Sequence, residues 1–114
     1  MLLSWSKCAD DWCLLDRVQA DWLDGHGVFV VWRTGDLSRP SATLYVGRGW
    51  LRDEIERCQR NPIFRQVPDL RITWAQVEDV RALDGVASYI YQQLRPMWGE
   101  AAWTHALAVN LPAI

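Results

Sequence analysis

Residues 27–55 read GVFVVWRTGDLSRPSATLYVGRGWLRDEI, and their punctuation decides the fold. An apolar run, Val28 to Trp32, is followed by a turn-rich break holding Thr34, Gly35, Asp36, Ser38 and Pro40. A second run, Leu44-Tyr45-Val46, comes next. Two short β-rich runs parted by glycine and proline signals predict a hairpin, and Gly47 lets the chain bend away from the sheet. A helix is predicted over Trp50 to Arg60, with Leu51, Ile55 and Cys58 on one face and Asn61-Pro62 as its stop. A strand, strand, helix unit of this kind presents side chains from the second strand and the helix start at one shared edge.

Outward from that unit, Asp10 to Leu23 carries Trp12, Leu15, Val18 and Trp22 at helical spacing, which predicts an amphipathic N-terminal helix with Asp16 and Asp21 on its outer face. After the first helix, 63–68 reads as loop and Leu70 to Trp74 alternates as a half-buried strand. Val77 to Leu83 fits a short helix or an ordered loop. A second helix is predicted from Val86 to Arg95, and 97–114 reads as irregular chain with at most a short strand near Ala108 and Val109. The chain carries no repeat and no linker. With 114 residues, half of them hydrophobic, it has the length for one core and not two.

Gly27-Val28-Phe29, then Tyr45-Val46-Gly47 at hairpin distance, then Leu51 on a helix, together with Leu94-Arg95-Pro96 and Val109-Asn110-Leu111-Pro112 in the same order, resemble the GIY-YIG nuclease family. The resemblance spans 27–112. It implies an α/β fold, a small mixed three-stranded sheet flanked by helices over 27–114, with residues 1–26 as an added helical extension. It also implies a divalent-metal site for cutting phosphodiesters. In such a site a glutamate on the later helix holds the ion, an arginine on the first helix steadies the phosphate, and tyrosines from both tripeptides stand by the attacking water. The metal offsets developing charge and the planar guanidinium forks onto phosphate oxygens.

Carried over residue by residue, Gly27, Tyr45, Gly47 and Asn110 match. Phe29 stands where tyrosine is usual and lacks the hydroxyl. Glu54 falls three residues after Leu51, where the arginine is expected, and Ala87 falls nine before Pro96, where the metal glutamate is expected. Arg57 and Arg52 are the arginines nearest to a replacement clamp, and Asp84 the nearest acid to a replacement ligand. Losses at three roles imply a degenerate member acting by binding a partner protein or nucleic acid, as a regulator or antidote of an active nuclease. The alternative is a working DNase or RNase using Mg²⁺, its glutamate misregistered or replaced.

Composition weighs on these readings. Eleven arginines stand against one lysine among the twelve basic residues, and Arg48, Arg52, Arg57, Arg60, Arg65 and Arg71 cluster in one quarter of the chain. They form either a phosphate-contacting patch or a solvated helix face interleaved with Asp53, Glu54 and Glu56. The net charge of −2 favours a protein partner, because non-specific phosphate affinity needs excess positive charge. Of eight tryptophans, Trp12, Trp22, Trp32 and Trp74 fit core patterns, while Trp5, Trp50, Trp98 and Trp103 are candidates for an interface. Arg48, Trp50, Arg60 and Asn110 are thus assigned to nucleic-acid or partner binding. Cys8, Cys13 and Cys58 are read as small buried hydrophobes, since three cysteines close no disulfide framework. With no signal-like apolar stretch and no run long enough to span a bilayer, the expected compartment is a reducing cytoplasm without membrane contact.

Overall fold

The structure is a computed structural model describing residues 1–99 and 104–114. Its centre is a sheet of four strands in the order β1-β4-β2-β3: β1 (Cys13–Leu14), β2 (His26–Arg33), β3 (Ala42–Trp50) and β4 (Leu70–Gln76). Among the described residues three α-helices accompany it, α1 (Leu51–Arg60), α2 (Pro62–Arg65) and α3 (Leu83–Leu94). The predicted hairpin is β2-β3, and α1 leaves the end of β3 directly. Every strand pair is antiparallel, which corrects the expected mixed, three-stranded sheet. The segment from β3 through α1 and α2 does bring β4 back parallel to β3, but β2 lies between them and pairs with both. The fourth strand, β1, comes from the N-terminal segment.

Where a single core was expected, alternation along β2 splits the buried residues into two layers, one on each face of the sheet. Val28, Val30 and Trp32 face one side with Val46, Ala75 and the α3 residues Val86, Ala87 and Ile90. Phe29 and Val31 face the other, with Leu44, Ile72 and the α1 residues Leu51, Ile55 and Cys58. Ranking α1 by burial returns the same three residues that its spacing predicted. β2 carries six consecutive buried residues, as a strand covered on both faces must.

The N-terminal segment corrects three expectations. Asp10 to Leu23 is not an α-helix but β1 followed by two short 3-10 turns, Leu15–Arg17 and Ala20–Trp22. Tertiary partners override the helical spacing. Cys13 and Leu14 pair with Ile72 and Arg71 of β4, and the Gln59 side-chain amide on α1 donates to the carbonyls of Leu15 and Val18 at 3.0 and 2.7 Å. Those carbonyls therefore need no helical partner. Trp22, expected in the core, is 80% exposed, while Leu15 and Ala20 take the buried places. Cys8 and Cys13 are joined by a disulfide, leaving Cys58 as the buried free thiol among the described residues. This bond corrects the reading of Cys8 and Cys13 as small buried hydrophobes outside any disulfide.

The strap formed by this segment covers the outer edge of β4, which would otherwise offer unpaired backbone groups. Ser6 N–H donates to the Trp74 carbonyl at 3.0 Å, and the fully buried Thr73 hydroxyl donates to the Ser6 carbonyl at 2.8 Å. Farther along, Val80–Ala82 forms a 3-10 turn where a short helix or loop was expected. α3 begins at Leu83 rather than Val86, so Asp84 lies in its first turn. No strand forms near Ala108 and Val109. Among the described residues no helix is long and apolar enough to cross a membrane.

Candidate functional site

The cleft at the hairpin edge is built on a bulge. The β2-β3 register shifts between Val31, opposite Tyr45, and Trp32, opposite Thr43. Leu44 is the extra residue, and both it and Tyr45 turn toward the α1 face. Two residues farther on, Gly47 sits under the Phe29 ring: a Cβ there would lie 2.2 Å from Phe29 Cζ. This close approach requires a glycine. It also fixes the meaning of Phe29, whose para carbon lies against backbone in a fully buried pocket, so its position supports packing rather than proton transfer.

From Phe29 a row of rings runs outward. Phe29 and Tyr45 centroids are 5.8 Å apart, Tyr45 and Phe64 5.9 Å, Phe64 and Trp98 5.8 Å, the tilted spacings aromatic pairs favour. Phe64 is buried on α2, a helix begun by Asn61, whose side chain accepts from Ile63 N–H at 2.9 Å, and by Pro62 in the first turn. Asn61-Pro62 thus ends one helix and starts another. That signal was open to a sequence reading that instead put Ile63 to Pro68 in a loop, so Phe64 was missed. Trp98 arrives because the chain after α3 runs along the outer edge of β3. Met97 N–H donates to the Thr43 carbonyl at 3.1 Å and Trp98 N–H to the Leu44 carbonyl at 2.9 Å.

Tyr45, Phe64 and Trp98 line an open cleft of about 240 Å³ together with Glu54, Arg57 and Cys58. Glu54 reaches it across Gly49, whose φ of +129° leaves a side with no Cβ. The Glu54 side chain fills that side. The Glu54 carboxylate accepts from Arg57 Nη1 at 3.2 and 3.3 Å. Burial, and then the neighbouring charges of Cys58 and Glu54, hold the Tyr45 hydroxyl above its ordinary pKa, so it remains a donor across physiological pH. Burial pushes the Cys58 thiol up to about 12, which removes it as a nucleophile.

The other expected site residues lie elsewhere. Ala87 is 5% exposed and belongs to the apolar cluster on the α3 face, whereas Tyr45 packs on the α1 face. Asp84 is ion-paired with Arg48, so the pair Asp84 and Arg57 does not converge. Arg52 lies 3.8 Å from Asp24 in the strap. Trp50 meets His26 edge to face at 4.8 Å and is 41% exposed. Arg60 and Arg65 are exposed on α1 and α2, while Arg71 reaches toward Trp12 and Asp11. The arginines therefore diverge over several surfaces rather than forming one patch. Asn110 clamps the strap: its side chain accepts from Leu3 N–H at 2.6 Å and donates to the Leu3 carbonyl at 2.9 Å. Trp103 lies outside the described residues.

These residues do not fit a divalent ion of the kind the resemblance implies. The ligand position is an alanine walled in by apolar side chains, the nearest acid on α3 is engaged by Arg48, and Glu54 is engaged by Arg57. Among the described residues no three His, Cys, Asp or Glu side chains converge to hold a metal. Comparison with protein-family models, with curated proteins and with solved structures finds no match to this chain.

Proposed function

We propose that this chain is a binding protein built on a degenerate GIY-YIG-like frame, with a partner protein docking at the Tyr45 edge. The observation that carries the reading is the pairing of Glu54 with Arg57 beside Tyr45, where a phosphate clamp would need a free cation. The acid at this position repels a phosphate backbone and offsets the charge of the nearest guanidinium. Ala87, the metal position the resemblance implies, packs on the opposite face of the sheet from Tyr45, so an ion held there could not serve the Tyr45 edge. The net charge of −2 points to a protein rather than a nucleic acid, because long phosphate chains are held by excess cationic charge. The chain then acts as a regulator or antidote of an active nuclease, binding through a frame related to its target's.

The test is a pair of measurements. Supercoiled plasmid and single-stranded RNA, incubated with Mg²⁺ or Mn²⁺ over a wide range, should remain intact. A tagged chain expressed in its source cell should recover a stoichiometric protein whose association falls with Tyr45→Ala. Nicking that declines with Tyr45→Phe would instead establish the nuclease reading.

A further inference from the structure

Resting on the protein-binding reading, the geometry points to the chemistry of the contact: the Tyr45 cleft receives one cationic side chain, an arginine, from the partner. Three features of the cleft converge on this. The walls are aromatic, with the faces and edges of Tyr45, Phe64 and Trp98 following one another at 5.8–5.9 Å, and Trp98 is still 37% exposed. Aromatic faces attract a cation placed over them, and arginine adds planar stacking. A carboxylate, Glu54, closes one end, and its side chain is only 24% exposed. The volume of about 240 Å³ admits the head of one long side chain. It falls short of the roughly 300–1,000 Å³ of pockets that enclose a drug-sized ligand.

The protein already shows the contact in miniature. Arg57 lays one guanidinium nitrogen on both Glu54 oxygens at 3.2 and 3.3 Å, yet its own side chain is 74% exposed. An exposed pair of this type is weak, so an incoming guanidinium that also stacks on Trp98 displaces it. The same features disfavour a nucleotide. A base would stack on the rings, but its phosphate would face the Glu54 carboxylate.

Binding of acetyl-Gly-Arg-Gly-amide to the full chain, followed by the Trp98 indole N–H and the Tyr45 ring in NMR spectra, tests the inference. Saturable shifts with a millimolar dissociation constant are expected, and the neutral citrulline peptide should leave both signals unmoved. Trp98→Ala should weaken binding about ten-fold. Glu54→Gln should weaken it about five-fold, and Arg57→Ala should tighten it about three-fold by freeing the carboxylate. Equal binding of the citrulline peptide, stronger binding of a nucleoside monophosphate, weaker binding by Arg57→Ala, or no shift at all would overturn it. A partner protein whose capture survives Trp98→Ala would overturn this site alone. Metal-dependent nicking would overturn the reading beneath it.

Discussion

Replacing Ala87 with glutamate supplies the residue that the GIY-YIG resemblance implies at this position, and the structure predicts that it damages the fold. Ala87 is 5% exposed among Val28, Val30, Val46, Val86 and Ile90. Adding side-chain volume there costs about 1–3 kcal/mol in displaced neighbours. The carboxyl adds a second cost. A glutamate in apolar surroundings has its pKa raised by about 3–5 units, and each unit corresponds to about 1.4 kcal/mol. Between an unfolded pKa of about 4.3 and pH 7 that amounts to about 3–4 kcal/mol. The sum of about 4–7 kcal/mol is a large part of a stability of about 5–15 kcal/mol. At about 4 °C per kcal/mol, the midpoint should fall by about 15–30 °C.

Thermal melts followed by circular dichroism, with Ala87→Met as the control for volume, separate the two costs. The sign of the pH dependence is fixed by the direction of the shift. The folded pKa lies above the unfolded one, so the native variant holds its proton more tightly. Its deficit against Ala87→Met is smallest below about pH 4 and grows as pH rises through about 4.3 toward the folded pKa. Adding MgCl₂ or MnCl₂ should leave the midpoint unchanged. An Ala87→Glu protein melting within a few degrees of its parent and rising with either ion would refute the reasoning, because the new carboxylate would then have reached a cation site.

Two further outcomes follow from the packing around the cleft. Gly47→Ala should cost about 1–3 kcal/mol, since its Cβ would lie 2.2 Å from Phe29 Cζ; denaturant titration should show Phe29→Leu recovering part of the loss, and strict additivity of the two changes would contradict the contact. Cys58, 6% exposed and with its thiol pushed up to about 12, should resist iodoacetamide in the native protein at pH 8 and react on unfolding. Native labelling at the rate of an exposed thiol would show that the cleft opens to its floor.

Much of the frame was legible in the chain itself. The hairpin was readable because two apolar runs flank a break of glycine, proline and polar residues. α1 was readable because Leu51, Ile55 and Cys58 repeat at helical spacing and are buried in the structure. The N-terminal segment misled for a physical reason: Trp12, Leu15, Val18 and Trp22 have helical spacing, yet pairing with β4, the Cys8–Cys13 bond and the Gln59 caps supply local partners that spacing does not register. The site was legible in part. Tyr45, Glu54 and Arg57 were each singled out and do meet, whereas Phe64 was hidden in an assumed loop. Asn110 was expected at the site and instead holds the strap.

By itself the sequence determined the local elements and which functional groups stand at single positions, because periodicity, turn residues and the presence or absence of a carboxylate or hydroxyl are properties of the residues present. Only the tertiary structure decided that β2 separates β3 from β4, that Ala87 and Tyr45 pack on different faces of the sheet, and that Trp98 closes a cleft over Tyr45. Those outcomes depend on pairings between segments far apart in the chain. Such pairings are chosen by the burial of both faces of β2 at once, which no single stretch specifies.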